Sequence, residues 1–179
     1  MRKLLVLAWI AGIISSCSSL KVTNDYDSSA DFASFQTYNY TEQALSLDIN
    51  NLAEQRLFGA LDGELAAKGL RKADNPDLLI DINFKLDQKQ TATATTTGAD
   101  FYGRGYRYRW GPTFSTTTIN YNEYTEGTLF LDFISTAQNQ LVWQGRGVGT
   151  IREDGTPEQR NLRTQKAIAK ILSKYPPKQ

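Results

Sequence analysis

Apolar and polar residues alternate most regularly over residues 78–86, where every second side chain is apolar and Asp81, Asn83 and Lys85 lie between them. A period of two residues predicts a strand with one buried and one solvated face. The polar, threonine-rich run 88–97 that follows is interpreted either as an extension of this strand or as a mobile segment.

Shorter stretches rich in aromatic and β-branched residues predict the remaining strands. Glu126-Gly127 is interpreted as a turn between two of them, and the last two form a hairpin over residues 137–140. The predicted strands cover residues 22–26, 35–40, 119–126, 128–134 and 141–151.

Three glycines share one face of the last predicted strand with Trp143. Gly145, Gly147 and Gly149 follow Trp143 at every second position. Positions without side chains on one face indicate that a helix or another backbone crosses the strand closely there.

Apolar residues at helical spacing predict a first helix that ends near residue 69. Asn51 is expected to cap its start together with Glu54, and Gly69 is expected to end it in the left-handed conformation. Gly59 and Gly63 lie one turn apart and indicate close packing, either on the protein's own sheet or on a partner helix. The apolar face consists of Leu57, Phe58, Leu61 and Leu65.

A last helix has a full set of end signals. Thr156 is the expected N-cap, Pro157 occupies the first helical position, and Gln159 completes a capping box. The two prolines at 176 and 177 stop it. The apolar stripe consists of Leu162, Ile168, Ile171, Leu172 and Tyr175.

The predicted order of elements is therefore β-β-α-β-β-β-β-α. This order is typical of an α+β fold, with a mostly antiparallel sheet and two helices packed on one of its faces. The length from residue 22 to residue 179 fits a single domain.

Residues 1–16 have the pattern of a lipoprotein signal peptide. Arg2 and Lys3 precede an apolar run, which gives way to serines around Cys17, the chain's one cysteine. We expect cleavage to leave Cys17 first, carrying diacylglycerol and an N-acyl chain such as palmitate, with residues 17–21 as the acylated tether. Several acyl chains together bind a membrane stably. The alternative is plain secretion, in which Cys17 is either an ordinary residue of the leader, with cleavage a few residues later, or a free thiol or intermolecular bridge in the secreted chain.

Composition excludes several kinds of chemistry. The chain contains no histidine, which excludes Ser-His-Asp and Cys-His catalysis and His-ligated zinc. Acylation of Cys17 would remove the thiolate as well, so no metal or other cofactor is expected. Loss of Arg2 and Lys3 with the leader changes the formal net charge from +1 to −1. A near-neutral chain does not suit a nucleic-acid binder.

Residues 101–110 combine three arginines with five aromatic rings and are the candidate surface for a partner or ligand. Such side chains stack on flat groups and pair with carboxylates or phosphates. A long hairpin arm with its rings on one face, or a disordered loop, would explain the same residues without a ligand. The candidate residues are Tyr102, Arg104, Tyr106, Arg107, Tyr108, Arg109 and Trp110.

Acidic residues are weaker candidates. Glu123, Glu126 and Asp132 suggest a paired-carboxylate hydrolase, although such an enzyme needs two acids at a defined separation in a cleft. A second acidic group lacks the glycine and terminal glutamate of a calcium loop and is better explained as a solvated turn. Its members are Asp25, Asp27 and Asp31.

Short motifs follow one another along nearly the whole mature chain. They are Val22…Asp25-Tyr26-Asp27, Asp31-Phe32…Phe35…Thr37-Tyr38, Gly69, Pro76-Asp77-Leu78-Leu79-Ile80, Tyr102-Gly103…Gly105-Tyr106, Tyr124…Glu126-Gly127-Thr128-Leu129…Asp132, Leu141-Val142-Trp143-Gln144-Gly145 and Tyr175-Pro176-Pro177. In order and spacing they resemble an uncharacterised family of bacterial lipoproteins, domain of unknown function 4136. The resemblance implies an envelope lipoprotein with an α+β domain, and it brings no accepted reaction or catalytic residue.

We therefore expect a membrane-anchored accessory or binding module that is not an enzyme and whose partner is an envelope protein, glycan or lipid headgroup. The alternative is a carboxylate-dependent hydrolase of cell-envelope glycan. Ser18 stands where an aspartate retains some lipoproteins at the inner membrane, which favours the outer membrane. The absence of an acidic export tag after Cys17 favours the periplasmic face over the cell surface. The oligomeric state is left open.

Overall fold

The computed structural model describes residues 20–98, 115–152 and 154–177. They form two α-helices, a short 3-10 helix at Ala44–Ser46, and six strands. The helices are α1 (Asn51–Ala67) and α2 (Pro157–Leu172), and the strands are β1 (Lys21–Tyr26), β2 (Thr37–Tyr40), β3 (Arg71–Lys72), β4 (Leu78–Gly98), β5 (Ser115–Ser135) and β6 (Gln140–Thr150).

The strands form one sheet in the order β1-β6-β5-β4-β2-β3. Neighbours from β1 to β4 are antiparallel, whereas β2 is parallel to both β4 and β3. The parallel pairing of β2 with β3 follows from α1, because a crossover through a helix returns the chain in the same direction. The predicted α+β class, the order of elements and the mostly antiparallel sheet are confirmed, and the two short parallel pairings of β2 make the sheet mixed.

Strands β4 and β5 are each 21 residues long, which corrects the predicted turn. Glu126 and Gly127 lie inside β5, where they pair with Asp87 and Leu86 of β4. The glycine serves packing at this position, because an added Cβ would lie 2.9 Å from Ile151 Cγ1. The threonine-rich run 88–97 is an extension of β4, the first of its two interpretations.

The glycine face of β6 lies under α2, as the spacing predicted. An added Cβ would lie 2.8 Å from Ile171 Cγ2 at Gly145 and 2.6 Å from Ile171 Cδ1 at Gly147. The absence of side chains therefore lets α2 lie directly on the sheet.

Helix α1 packs on the same face of the sheet, over β2. The hydroxyl groups of Tyr38 and Tyr40 both donate hydrogen bonds to Asp62 Oδ1, at 2.8 and 2.7 Å. Burial, with the bond to Asp62, raises the pKa of both tyrosines, which remain protonated donors. Tyr40 lies in the same cross-strand row as Phe133 and Trp143, so the two helices share one face.

The ends of α1 match the prediction at one end and differ by one residue at the other. The N-cap is Asn50, and the predicted cap, Asn51, is the first helical residue. The Asn50 side chain accepts a hydrogen bond from the Leu52 N–H at 2.8 Å. Gly69 ends the helix with a φ of +87°, as predicted.

Helix α2 begins with the predicted capping box. The Thr156 side chain accepts from the Gln159 N–H, and the Gln159 side chain accepts from the Thr156 N–H. The stripe of α2 is buried at Ile168, Ile171, Leu172 and nearby Tyr175, whereas Leu162 is 50% exposed and was wrongly assigned to it.

The centre of the core is aromatic. The rings of Phe133, Trp143 and Tyr175 pack with centroids 4.7 to 5.3 Å apart. A bulge opposite Phe133 inserts Val142 into β6, and both Val142 and Trp143 are fully buried. Within the described ranges, no helix is long and apolar enough to cross a membrane.

Candidate functional site

A two-stranded arm projects from one end of the sheet. Strand β6 pairs with β5 only from Glu126 to Ser135, and β2 pairs with β4 only from Leu78 to Ile80. Residues 88–98 and 115–125, which we call the ribbon, pair with each other in eleven successive rungs. At the usual rise of a strand, the ribbon extends about 35 Å beyond the sheet.

The two faces of the ribbon differ in composition. The face that continues the helix-covered side of the sheet has Ala92 opposite Tyr121 and Ala94 opposite Ile119. Tyr121 is 67% exposed and Ile119 is 52% exposed. We call this the apolar face after these four central residues, and we call the alternate positions, which are mostly threonine and asparagine, the polar face. The apolar face also carries polar residues on either side of its centre, namely Gln88, Gln90, Thr96, Thr117, Glu123 and Thr125.

Within the part of the chain that the structure describes, both edges of the ribbon are free except at Thr125, whose carbonyl accepts a hydrogen bond from the Ile151 N–H at 2.9 Å. The ribbon has just two charged residues in its strands, Lys89 and Glu123. The Glu123 carboxylate accepts a hydrogen bond from Gln90 at 2.7 Å. Free strand edges usually carry charges, prolines or bulges that prevent pairing with other chains. These edges have few such protections and can accept a further strand.

The residues singled out as a partner surface, 101–110, lie outside the described residues, and so does Cys17. The nearest described positions to that surface are Gly98 and Ser115, which pair with each other at the last rung of the ribbon. The predicted surface and the ribbon are therefore adjacent in the chain.

The structure separates the three acids proposed for hydrolysis. Glu123 lies on the apolar face of the ribbon, whereas Glu126 and Asp132 lie on the opposite side of the sheet. Glu126 and Asp132 are six residues apart in one strand, a separation of about 20 Å. Glu123, Glu126 and Asp132 thus do not form one carboxylate site.

A different acid pair is present, and the sequence prediction missed it. Asp132 in β5 lies directly opposite Asp81 in β4. Gln144 donates to Asp132 Oδ1 at 2.7 Å, and Thr41 donates to Asp81 Oδ1 at 2.5 Å. Burial raises the pKa of Asp132, the Gln144 hydrogen bond lowers it, and the negative charge of Asp81 raises it further. Such a perturbed carboxylate is a candidate for proton transfer.

The acid pair is not in the cleft. A cleft of about 530 Å³ lies between α1 and α2, with Leu52, Arg56, Gly59, Pro157 and Asn161 among its lining residues. The helices cover one face of the sheet, whereas the acid pair lies on the other. Among the described residues, no group of three or more acidic, histidine or cysteine side chains could hold a metal ion.

Several motif residues have structural roles. Asp77 Oδ2 accepts hydrogen bonds from the backbone N–H groups of Gln36 and Thr37, both at 2.9 Å, and from Thr37 Oγ1 at 2.8 Å. These bonds fix the start of β2 and lower the pKa of Asp77. Asp27 Oδ1 accepts from the Ser29 N–H at 2.8 Å and closes a turn, which agrees with the solvated acidic turn favoured over a calcium loop.

Comparison with families and solved structures gives a family and a fold. The model of the family described as "Domain of unknown function (DUF4136)" matches residues 22–177. A search of curated proteins returns no match.

A PDZ domain protein from Parabacteroides distasonis aligns with a TM-score of 0.55 at 16% identity, over 89% of this chain. The chain spans 37% of the length of that protein, and the likeness shows the fold alone.

Two PelC dodecamer structures from Paraburkholderia phytofirmans align over 86% of this chain and 95–96% of theirs. Their TM-scores are 0.44 and 0.45, at 15% and 13% identity, and carry no argument about this chain.

Proposed function

The chain belongs to the family of unknown function DUF4136, and we propose that it is a lipid-anchored envelope protein that binds another envelope protein and performs no reaction itself. Cys17 carries diacylglycerol and an N-acyl chain and holds the domain at the periplasmic face of the outer membrane. The leader and the serines around Cys17 support the anchor.

The projecting ribbon is the observation that supports binding. Its free edges present backbone N–H and C=O groups to an incoming strand, and main-chain hydrogen bonds are the basis of strand-addition recognition. Its low charge reduces the cost of covering it. The partner accordingly contributes an extended segment, and residues 101–110, which lie between the two ribbon strands in the sequence, remain candidates for further contacts.

The test is photo-crosslinking in intact cells, with the crosslinking residue placed at Thr93 or Asn122 on the polar face of the ribbon. A matched control carries it at Lys166, an exposed position on α2. We expect one partner to be captured from both ribbon positions and not from Lys166. Equal capture from all three positions, or capture of abundant porins alone, would contradict the proposal.

A shortened ribbon provides a second control. Removing residues 93–96 and 117–120 deletes four complete rungs and keeps the register of the rest. We expect this variant to lose the partner and to remain membrane-bound. Cys17→Ala should release the chain from the membrane, because it removes the site of acylation. A Cys17→Ala variant that stays membrane-bound would refute lipid anchoring.

The second candidate function is hydrolysis of envelope glycan, and the Asp81–Asp132 pair favours it. A half-buried acid with a raised pKa beside a second carboxylate supplies the two groups that a paired-carboxylate enzyme uses, although the pair lies outside the cleft between α1 and α2. Prolonged incubation with purified peptidoglycan or surface polysaccharide tests it. Release of soluble fragments, lost in Asp132→Asn, would support hydrolysis, and an intact substrate would exclude it.

A further inference from the structure

Two exposed apolar surfaces lie on the same side of the sheet. One is the apolar face of the ribbon, with Tyr121 and Ile119. The other is the outer surface of the helix layer, where Leu52 is 60% exposed and Leu162 is 50% exposed. Because the ribbon extends past the helices, its apolar face is lower than the outer surface of the helices by the thickness of the helix layer. A second protein surface of similar shape can fit against both.

The outer surface of α1 has room for large side chains. Gly59 and Gly63 are exposed, and an added Cβ at either position would meet no atom within 4 Å. Packing of these glycines on the protein's own sheet, one of the two interpretations of their spacing, is therefore wrong. Gly59 also lines the cleft between α1 and α2.

The layout of the sheet places the ribbon in line with this cleft. Helix α2 lies over β6 and α1 lies over β2, and the ribbon strands β5 and β4 are between them in the sheet. In a dimer whose twofold axis runs across the strands, perpendicular to them, the rotation reverses the direction of each strand. It does not change the position of any strand or helix along the axis. The ribbon of one copy therefore faces the α1–α2 cleft of a second copy.

Chain direction agrees with this arrangement. Helix α1 joins the parallel strands β2 and β3, so it runs opposite to them and to β4, which runs towards the ribbon. The twofold axis reverses the ribbon of the second copy, which then points in the direction of α1. From the base outwards the ribbon presents Glu123, Tyr121 and Ile119, and α1 presents Arg56, Gly59 and Gly63 in the same order.

Charge agrees as well, and the lengths of the two series differ by only about 3 Å over the three positions, which side chains can span. Side chains on one strand face recur about every 7 Å, and those on one helix face recur about every 5 Å. The two series thus place an acid near a base and two large side chains near two glycines. Arg56 has no ion pair within the described ranges, so its charge is available to Glu123 of another copy.

We propose that two copies of this chain form a twofold dimer in which the apolar face of each ribbon covers the α1–α2 surface of the other. A ribbon face about 35 Å long and 10 Å wide, used twice with the two surfaces it covers, buries about 1,400 Å², within the range of stable interfaces. The β1 edges of both copies fall on one side of the dimer. The dimer does not depend on the lipid anchor, and it leaves the polar faces of the ribbons open for the partner proposed above.

The test is charge reversal with rescue, read out as oligomeric state by sedimentation of the full mature chain in detergent. We expect the wild-type chain to be a dimer and Glu123→Arg or Arg56→Glu each to weaken the dimer about tenfold. The double variant, which restores the pair with its charges exchanged, should recover to within about threefold of wild type. Lys89→Glu on the polar face is the matched control and should change the dimer constant less than about twofold.

Two outcomes would overturn the proposal. One is a wild-type chain that stays monomeric at about 100 µM, where an interface of this size should be populated. The other is a dimer that the single reversals do not weaken or that the double variant does not restore. Circular dichroism of each variant checks that the fold is kept. Tyr121→Asn removes an apolar contact without altering the charge, and this single substitution should also weaken the dimer.

Discussion

The two halves of the β4–β5 pair are built from the same strands and have opposite environments. In the inner half, Leu131 and Phe133 of β5 are fully buried under the helices, whereas in the outer half Ile119 and Tyr121 are more than half exposed. A two-stranded ribbon has little stability of its own without a third strand or a covering layer. The difference indicates that the inner half holds the fold together and that the outer half is available for binding.

The largest expected effect on stability comes from removing an aromatic ring in the inner half. Phe133→Ala should reduce the free energy of unfolding by about 3–5 kcal/mol, because it leaves a cavity between Trp143 and Tyr175. Ile119→Ala, on the same face of the same strand, should reduce it by less than about 0.5 kcal/mol. Urea unfolding at concentrations where the chain is monomeric measures both, and similar losses would show that the ribbon is part of the folding core.

Glycine substitutions test the packing that distinguishes the two surfaces of the helix layer. Gly147→Ala should destabilise by about 1–3 kcal/mol, because its Cβ would lie 2.6 Å from Ile171 Cδ1 under α2. Gly63→Ala, on the open side of α1, should instead stabilise the chain by about 0.5–1 kcal/mol, since alanine favours a helix and meets no neighbour there. Thermal unfolding of both variants, at concentrations where the chain is monomeric, gives the signs, and a loss in Gly63→Ala there would mean that α1 is already covered within a single copy.

Local signals in the sequence predicted the parts of the fold that depend on local chemistry. The capping box of Thr156 and Gln159, the left-handed end at Gly69 and the helix crossing over Gly147 were all confirmed. The start of α1 was wrong by one residue, because Asn50 and Asn51 are equally able to cap and only the backbone conformation decides between them.

Features that depend on distant packing could not be predicted in this way. Gly127 was assigned to a turn because glycine favours turns, whereas its actual requirement is room for the Ile151 side chain. Asp81 was overlooked as a partner of Asp132 because their contact depends on the register of two strands that are far apart in sequence. The ribbon was predicted only in part. An extension of β4 was one of the two interpretations of the sequence, but the difference between the two faces of the ribbon was not predicted.

Substitution of two aspartates in the sheet should change the free energy of unfolding in opposite directions. Hydrogen bonds from Gln36 and Thr37 lower the pKa of Asp77 below its ordinary 3.8, so its stabilising effect is present above that pH and is lost as the pH falls through the folded-state pKa. Asp77→Asn should therefore cost about 1–2 kcal/mol at neutral pH and progressively less in acid. Burial raises the pKa of Asp132, so its ionised form costs stability as the pH rises through that value.

Asp132→Asn should accordingly stabilise the chain by a few tenths of a kcal/mol at neutral pH, because it removes a like charge directly opposite Asp81. That gain should vanish as the pH falls below the raised pKa, where the wild-type carboxyl is already neutral. Unfolding curves over a pH series check both variants. A gain in Asp77→Asn, or a loss in Asp132→Asn at neutral pH, would contradict the assigned causes.

Removal of four rungs of the ribbon (residues 93–96 and 117–120) is the largest change to the chain and should nevertheless have little effect on its stability. At concentrations where the chain is monomeric, we expect the free energy of unfolding to change by less than about 0.5 kcal/mol, because the ribbon adds few buried contacts to the core. Hydrogen exchange should agree, with ribbon amides exchanging far faster than those of Leu131 and Phe133. A large loss of stability on shortening, or equal protection along both halves of β5, would remove the distinction between a folding half and a binding half.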